Sequence, residues 1–298
     1  MSRLIAGILC LSGALMAAGP SFAKENCSRA SLQSAVDSYV GAQTKGDPSG
    51  LKLASASKYA ENHKDADIKT GILATPLKID FKHSLLDTET CETFTEIISN
   101  NAEHPYVLGV HLTLSGDKIA AIDSVVTDKD DWMFNAESTL KHMSAETWGV
   151  IPRAERSDRN ALLAAANAYF DVFFDKSVQV PWGTPCNRIE GGMYIGKGLP
   201  TDSCNVGVPS NLKITGRRFV VDEDIGAVVG LVTFGRNLPD SHLFRLEGGK
   251  IRYIHALTVC PDTPNCGFSA SGARPRPPGA GAQDAQAPVG APRPATTP

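Results

Sequence analysis

The chain has 298 residues, a formal net charge of −3 and hydrophobic residues at 42% of its positions. That length is enough for one large folded domain or two smaller ones. Its basic residues form no stripe interleaved with aromatic side chains, so the sequence argues against nucleic acid as a partner. We expect a small-molecule partner instead.

Residues 1–23 have the pattern of a secretion signal. Arg3 supplies an early positive charge, an apolar run follows over residues 4–18, and small residues at Ser21 and Ala23 have the spacing that signal peptidase reads. The apolar run is too short to cross a membrane comfortably, and no second stretch of about 20 apolar residues follows it. We therefore expect the mature protein to be periplasmic or extracellular, with no membrane partner.

Six of the seven cysteines remain once Cys10 leaves with the predicted signal. An even number in an oxidising compartment predicts three disulfides among about fifteen possible pairings. The favoured pairing is Cys27–Cys91, Cys186–Cys204 and Cys260–Cys266. The first bridge stays inside the first half of the chain, and the other two close short loops. No cysteine spacing is typical of a zinc site, so we expect no metal.

One pattern of residues occurs twice along the chain. The segments 32–40 and 162–170 both read as amphipathic helices and place a tyrosine identically. Further on, residues 59–62 match 188–191, and residues 111–119 match 243–251. Because the offset changes little from the helix to the final hairpin, we interpret the pattern as an internal repeat.

Each copy is predicted to contain a helix, a loop-rich middle and a group of strands that ends in a hairpin. The predicted strands are 77–83, 91–99, 106–114 and 118–127 in the first copy, and 217–222, 228–234, 243–246 and 250–259 in the second. Helices that precede antiparallel strands favour an α+β fold, with the helices on one face of a curled antiparallel sheet.

These predictions divide the chain into five parts, of which the signal at residues 1–23 is the first. The first repeat covers residues 24–142, a connector covers 143–158, and the second repeat covers 159–266. Residues 267–298 are rich in proline, alanine and glycine. Such a composition cannot bury enough apolar surface to fold, so we expect a disordered tail there.

The helix-first order, the repeat length and the last hairpin together resemble a known superfamily. That hairpin reads His242-Leu243-Phe244-Arg245-Leu246-Glu247-Gly248-Gly249-Lys250-Ile251, and the pattern is similar to the nuclear-transport-factor-2-like (SnoaL-like) superfamily. The resemblance implies two cone-shaped domains in a pseudo-dimer, each with a pocket between its helices and the concave sheet. It also implies chemistry without a cofactor, because isomerases, dehydratases, epoxide hydrolases, cyclases and lyases of the superfamily commonly need none. Other members only bind or assemble.

A second resemblance rests on short phrases spread over the mature chain. These phrases are Tyr59-Ala60-Glu61-Asn62, Asp67-Ile68-Lys69-Thr70-Gly71-Ile72-Leu73, Val180-Pro181-Trp182-Gly183-Thr184-Pro185-Cys186 and Ser203-Cys204-Asn205-Val206-Gly207-Val208-Pro209. They resemble a group of secreted fungal and bacterial proteins of unassigned function. This resemblance covers nearly all of the mature chain but brings no chemistry with it.

The last hairpin supplies the first candidate catalytic residues. If Gly248-Gly249 forms a two-residue turn, His242 lies opposite His255 and Phe244 lies opposite Tyr253. Two histidines on an apolar and aromatic surface could exchange protons near neutral pH in a small-molecule pocket. The alternative is a pair of half-buried histidines bonded to neighbouring backbone. A slip of one residue in the register would reverse the face.

Asp123 is the corresponding candidate in the first repeat. The repeat offset puts it at the position of His255, on the predicted face with Leu112 and Leu114. A carboxylate on an apolar strand face is costly unless it is paired or functional, so Asp123 is a candidate general base. The alternative is an outward-facing aspartate at a strand end.

The loop-rich middle of each repeat supplies further polar candidates. Tyr59, Glu61 and His63 lie within five positions, and their counterparts include Arg188 and Glu190. These groups could hold an oxyanion or move a proton. A run of this kind more often forms a solvated loop, and that alternative is favoured here.

Aromatic residues are the candidates for substrate binding. Trp132 follows the last strand of the first repeat and Trp182 opens the middle of the second, while Phe244 and Tyr253 lie on the predicted pocket face. They could stack on an aromatic ligand, although closing the core is the commoner use of such residues. His63 completes the predicted substrate-binding set.

Together these features predict a secreted acid–base enzyme that acts on a small hydrophobic compound without a cofactor. Asp123 or His255 would remove a proton while Tyr59 or Arg188 stabilises the oxyanion, in a lyase, dehydratase or isomerase reaction. A preference for a lyase acting on an aromatic compound, such as a lignin-derived dimer, comes only from the superfamily resemblance. The alternative is a secreted binding protein without catalysis. The number of copies in the assembly, including a homo-oligomer, is left open.

Overall fold

A computed structural model describes residues 27–267, so the predicted signal and nearly all of the predicted tail lie outside the described residues. The first repeat contains helix α1 (Arg29–Lys45) and strands β1 (Leu53–Glu61), β2 (Lys64–Asp65), β3 (Phe81–Asp87), β4 (Glu92–Ser99), β5 (Tyr106–Ser115) and β6 (Lys118–Thr127). Helix α2 (Ala136–Met143) follows. The second repeat contains α3 (Arg159–Asp171), β7 (Trp182–Glu190), β8 (Met193–Ile195), β9 (Ile214–Asp222), β10 (Ala227–Phe234), β11 (Leu238–Glu247) and β12 (Lys250–Thr258).

The strands form two six-stranded sheets with the same topology. Their orders are β2-β1-β6-β5-β4-β3 and β8-β7-β12-β11-β10-β9. The pairs β1·β6 and β7·β12 are parallel, and the other pairs are antiparallel. The α+β prediction and the two similar domains are therefore confirmed, whereas the purely antiparallel sheet was wrong.

The two strands that make the sheets mixed, β1 and β7, were predicted as loop. Both lack a clear alternation of apolar and polar side chains, since Leu53–Glu61 reads LASASKYAE and Trp182–Glu190 reads WGTPCNRIE. Strand β1 pairs with β6 and strand β7 pairs with β12. Their positions in the sheets depend on backbone pairing rather than on a pattern of apolar residues. The expectation of a solvated loop around Tyr59 was wrong for this reason, because Tyr59 is buried.

Both faces of each sheet are buried, which gives four layers in the order helix, sheet, sheet, helix. On the outer faces, α1 buries Leu32 and Val36 against the first sheet, and α3 buries Leu162 and Phe170 against the second. The inner faces pack on each other through a shared apolar cluster, which includes Leu85, Phe94, Ile98, Val125, Val229, Leu231, Leu243 and Leu257. The two repeats therefore meet sheet to sheet.

Reciprocal ion pairs at the helix starts show that the two repeats are related by an approximate twofold axis. Arg29, the first residue of α1, donates to Asp222 of the second repeat at 2.7 and 3.0 Å. Arg159, the first residue of α3, donates to Asp87 of the first repeat at 2.9 Å. The same two carboxylates each accept a backbone N–H from the opposite repeat at 2.9 Å. One patch thus contacts its own counterpart, as in a symmetric dimer.

A bulge in the last hairpin changes which side chains share a face. Leu246 pairs with Ile251 but Arg245 pairs with Tyr253, so Arg252 is an extra residue in β12. As a result His242 lies opposite Ala256 rather than opposite His255. The predicted pairing of the two histidines was wrong. His242 faces the helix side of the second sheet and His255 faces the other sheet.

The same bulge occurs in the first repeat. Ala120 is the extra residue of β6, because Leu114 pairs with Ile119 while Thr113 pairs with Ala121. Asp123 then lies opposite His111, on the face away from Leu112. The predicted place of Asp123 on the apolar helix-side face was therefore wrong.

All three predicted disulfides are present, as Cys27–Cys91, Cys186–Cys204 and Cys260–Cys266. Such bonds persist in oxidising compartments, so they point to a protein that leaves the cytoplasm. Among the helices of residues 27–267, none combines the length and the apolar character that a membrane crossing requires.

Candidate functional site

A cavity of about 530 Å³ lies on the helix side of the second sheet. Its walls are mostly apolar, with a few polar side chains among them, and its size is within the range of small-molecule sites. The lining includes Trp132, Arg188, Glu190, Met193, Val206, His242 and Thr258.

His242 and Asp240 form the chemical centre of this cavity. Both belong to β11, where residues two positions apart face the same side of the sheet. His242 Nδ1 lies 2.6 Å from Asp240 Oδ1, and Thr258 Oγ1 donates to Asp240 Oδ2 at 2.5 Å. Asp240 is fully buried, so its carboxylate depends on these two donors.

This arrangement fixes the tautomer of the histidine. Because an ionised Asp240 can only accept, Nδ1 of His242 must carry the proton and Nε2 is left as an acceptor. Within residues 27–267, no protein group bonds to Nε2. The ring nitrogen that is free to take a proton therefore belongs to a residue that lines the cavity.

Arg188 and Glu190 extend from β7 into the same cavity, where they hold one of its walls. Arg188 Nε lies 2.9 Å from Glu190 Oε1. Its Nη1 and Nη2 donate to the carbonyl oxygens of Cys204 and Val206 at 3.1 and 2.6 Å. These contacts anchor Arg188 in the wall, and Glu190 opposes the positive charge that the predicted oxyanion-donor role would use.

Another wall of the cavity comes from the first repeat. After β6 the chain crosses to the second repeat, where Trp132 N donates to the carbonyl oxygen of Thr258 at 3.3 Å and Trp132 Nε1 approaches Glu190 Oε2 at 3.4 Å. The crossing needs a glycine on the facing turn. Gly191 has a φ of +61°, and a Cβ there would lie 2.0 Å from the carbonyl oxygen of Trp132.

Asp131 ties this crossing segment to the end of β12. Its carboxylate accepts the backbone N–H groups of Cys260 at 2.6 Å and Asp128 at 2.8 Å. Burial raises the pKa of Asp131 to about 6, against the effect of these two bonds. The predicted ligand contact Trp132 thus lines the cavity on a segment held by a buried carboxylate.

Aromatic residues close the core behind the cavity. The ring of Tyr169 lies 5.0 Å from Phe244, 5.5 Å from His242 and 5.8 Å from Trp182, measured between centroids. Burial raises the pKa of the Tyr169 hydroxyl. Phe244 and Trp182, which were predicted to bind substrate, pack in this core and do not line the cavity.

In the first repeat the corresponding space is filled by the protein itself. Tyr59 donates to Glu61, Glu61 Oε1 accepts the backbone N–H of Ile72 at 2.5 Å, and the hydroxyl of Tyr59 accepts that of Leu73 at 3.3 Å. The side chains of Ile72 and Leu73 are buried in the core under α1. Tyr59 and Glu61, both predicted as catalytic, therefore hold a loop in place.

Strand pairing shows that Asp240, His242 and Thr258 of the second repeat have no polar counterparts in the first. Leu108 pairs with Val126 in the first repeat as Asp240 pairs with Thr258 in the second. By the same registers, Val110 stands at the position of His242. The two repeats share their fold but not their cavity chemistry.

His255 lies between the two sheets, bonded to two buried glutamates. Its Nδ1 is 2.8 Å from Glu96 Oε2 and its Nε2 is 2.7 Å from Glu146 Oε2. Burial alone would lower its pKa, but the two carboxylates outweigh burial and raise the pKa of His255 to about 10. We call Glu96, His255 and Glu146 the interface triad. A protonated imidazole with both N–H groups engaged cannot accept a proton, so His255 does not suit the predicted role of base.

Two more predicted residues lie outside the cavity. Asp123 forms an ion pair with Arg218 of the second repeat. His63 is exposed on the turn after β1, and partial desolvation lowers its pKa. Neither lines the cavity. Tyr253 is likewise remote, because it packs 5.6 Å from Trp148 between the sheets.

Sequence reasoning singled out His242, Arg188, Glu190 and Trp132 but missed Asp240 and Thr258. The signal that could have found them is the comparison of the repeats, because an aspartate at a position that is leucine in the other copy needs a polar partner.

The chain was also compared with known proteins. Residues 155–258 match a family described as a domain of unknown function (DUF8021). The match covers the second repeat, including all of β7 to β12, and carries no activity. No curated protein matches the chain.

Proposed function

We propose that the second repeat binds a small apolar compound and carries out acid–base chemistry on it with the His242–Asp240 pair, without a cofactor. The observation that carries this proposal is the pair itself: a histidine in the wall of an apolar cavity, with Nδ1 held by a buried carboxylate and Nε2 free of protein partners. The SnoaL-like resemblance, with one helix over a cone-shaped sheet, is part of the same proposal.

The proposed chemistry begins with transfer of a proton from the compound to Nε2 of His242. The proton would come from a hydroxyl group or from a carbon next to a carbonyl. The resulting imidazolium is stabilised by the charge of Asp240, which the hydroxyl of Thr258 holds in place. Return of the proton to another atom would give isomerisation, and loss of a leaving group would give elimination or a lyase step.

The test is a mass-spectrometric screen of the purified protein against hydroxylated aromatic compounds, with no cofactor or metal added. His242→Gln should abolish turnover. His104→Gln is the matched control, because His104 also pairs with an aspartate, at 3.1 Å, but is solvent-exposed and does not line the cavity. Turnover that survives in His242→Gln would refute the proposal. Compounds recovered unchanged from a stoichiometric complex would support the secreted binding protein instead.

We also propose that the protein works in the periplasm or outside the cell. The proposal is supported by the three disulfides and by the signal-like residues 1–23. Fractionation of a host that expresses the full chain should recover it outside the cytoplasm, beginning near Lys24. Recovery of the intact chain only in the cytoplasm would contradict this localisation.

A further inference from the structure

The cavity is polar at its inner end and apolar at its mouth. Asp240, Arg188 and His242 are exposed by only 0%, 2% and 3%, whereas Met193 and Val206 are exposed by 40% and 52%. All except Asp240 line the cavity, and Asp240 bonds directly to His242. A compound that brings a polar group to His242 must therefore extend its other end toward Met193 and Val206.

The charges at the inner end determine which polar group fits there. Arg188 is the cation of the wall, but Glu190 neutralises it and two carbonyl oxygens take its remaining nitrogens. Asp240 adds a second carboxylate. A ligand carboxylate or phosphate would add negative charge beside two carboxylates and a single guanidinium, which is costly in a buried site. A hydroxyl group can instead donate to Nε2 of His242.

We infer that the cavity takes an uncharged amphiphile, a phenol or alcohol with an apolar tail, and that this ligand enters with its hydroxyl first. This inference rests on the proposed role of His242. The tail covers Met193 and Val206 at the mouth. Contact with this tail accounts for the exposure of two apolar side chains at the mouth of the cavity.

Isothermal titration calorimetry with para-ethylphenol and para-hexylphenol tests the direction of entry. Affinity should rise about three- to fourfold for each added methylene group, because each removes apolar area from water. A Met193→Gln, Val206→Asn double variant should lose this gain but still bind para-ethylphenol. Val150→Asn is the control: Val150 is a valine exposed by 67% that does not line the cavity, so the gain should persist there.

The outcomes separate this inference from the function on which it rests. Equal affinity for the two phenols, with turnover still lost in His242→Gln, would overturn the inference and leave the proposed function standing. A gain with chain length that persists in the double variant would also overturn it. If neither phenol binds, both the inference and the proposed ligand class fail.

A second titration tests the charge of the ligand. Para-hexylbenzoate should bind about tenfold or more weakly than para-hexylphenol, since its carboxylate meets Glu190 and Asp240. Glu190→Gln should reduce the difference in affinity between the benzoate and the phenol, because Arg188 then lacks its counter-ion. Glu247→Gln is the matched control, since Glu247 pairs with Arg245 Nε at the same 2.9 Å but lies outside the cavity. Equal binding of benzoate and phenol to the unaltered protein would overturn the inference.

Discussion

Asp240 decides which nitrogen of a neutral His242 carries the proton, and the proposed role of His242 as a base depends on this single residue. An amide at this position could donate to Nδ1, which would favour the tautomer with the proton on Nε2. The structure around the pair would change little, because an amide has the shape of a carboxylate.

Asp240→Asn is therefore expected to lower kcat by about 10²- to 10⁴-fold, as loss of the tautomer does in other histidine–aspartate pairs. The Kd of a bound phenol should change by much less, because the walls of the cavity are intact. Measurement of kcat and Kd on the same preparation separates the two effects. Asp117→Asn, which alters a surface aspartate exposed by 74% and paired with Lys52, should leave both values near those of the unaltered protein. An equal loss in kcat for the two variants would contradict the role of Asp240.

At the level of elements, the turn between β7 and β8 sets one wall of the cavity. Gly191 and Gly248 both have positive φ, at +61° and +55°, but only Gly191 faces another part of the chain. The space beside Gly191 is filled by the backbone of the segment that carries Trp132, so this turn joins the two repeats at the cavity.

Gly191→Ala should destabilise the protein by about 3 kcal/mol or more, since the new methyl group would overlap the backbone at Trp132. Gly248→Ala should lower the free energy of unfolding by only about 1–2 kcal/mol, the cost of an alanine in the left-handed conformation. Nothing lies within 4 Å of a Cβ at that position. Urea unfolding of the two variants isolates the steric effect. Phenol affinity should fall in Gly191→Ala alone. Equal destabilisation of the two variants would show that Trp132 is not held by this turn.

The elements also show how far the sequence could predict the structure. Apolar runs located β4 to β6, β10 and β12 well, because these strands pack on both faces. β11 was predicted only over residues 243–246, so its first half, which carries Asp240 and His242, was missed. The strands β1 and β7 were missed, since residues such as Ser55, Ser57 and Pro185 hide the pattern. A bulge adds one residue without changing the apolar composition. The extra residues Arg252 in β12 and Ala120 in β6 moved His255 and Asp123 away from the predicted pocket faces.

The site was harder to predict than the fold for a related physical reason. Whether His242 acts as a base depends on Asp240 and Thr258, which come together only through the pairing of β11 with β12. The sequence indicated which groups could do chemistry, but the burial of each group and the partner it finds are set by register and packing.

For the molecule as a whole, the interface triad is a charged cluster that joins both sheets to the connector. Glu96 belongs to β4, His255 to β12, and Glu146 to the segment after α2. Trp148 Nε1 also donates to Glu146 Oε2, at 2.9 Å. Removal of the central cation would leave two carboxylates buried without it, which is costly.

His255→Gln should therefore lower the free energy of unfolding by about 3–5 kcal/mol at neutral pH. In the unaltered protein the folded-state pKa is raised, so the stabilisation by His255 is complete below the unfolded value of 6.5 and is lost as pH rises towards about 10. Denaturant unfolding from pH 6 to pH 10 should show this decline. The decline should be absent in His255→Gln. A similar decline in that variant would assign it to other groups.

The reciprocal bonds of Arg29 to Asp222 and of Arg159 to Asp87 give one chain the symmetry of a dimer, while each repeat keeps its own sequence. In a dimer of identical subunits, every substitution appears on both sides of the axis, so a polar pair placed in one cavity must also be tolerated in the other. Fusion of the two copies removes that constraint. Leu108 and Val110 could stay apolar while their counterparts became Asp240 and His242. The second repeat is therefore open to redesign of its ligand, with the first repeat kept unchanged as its scaffold.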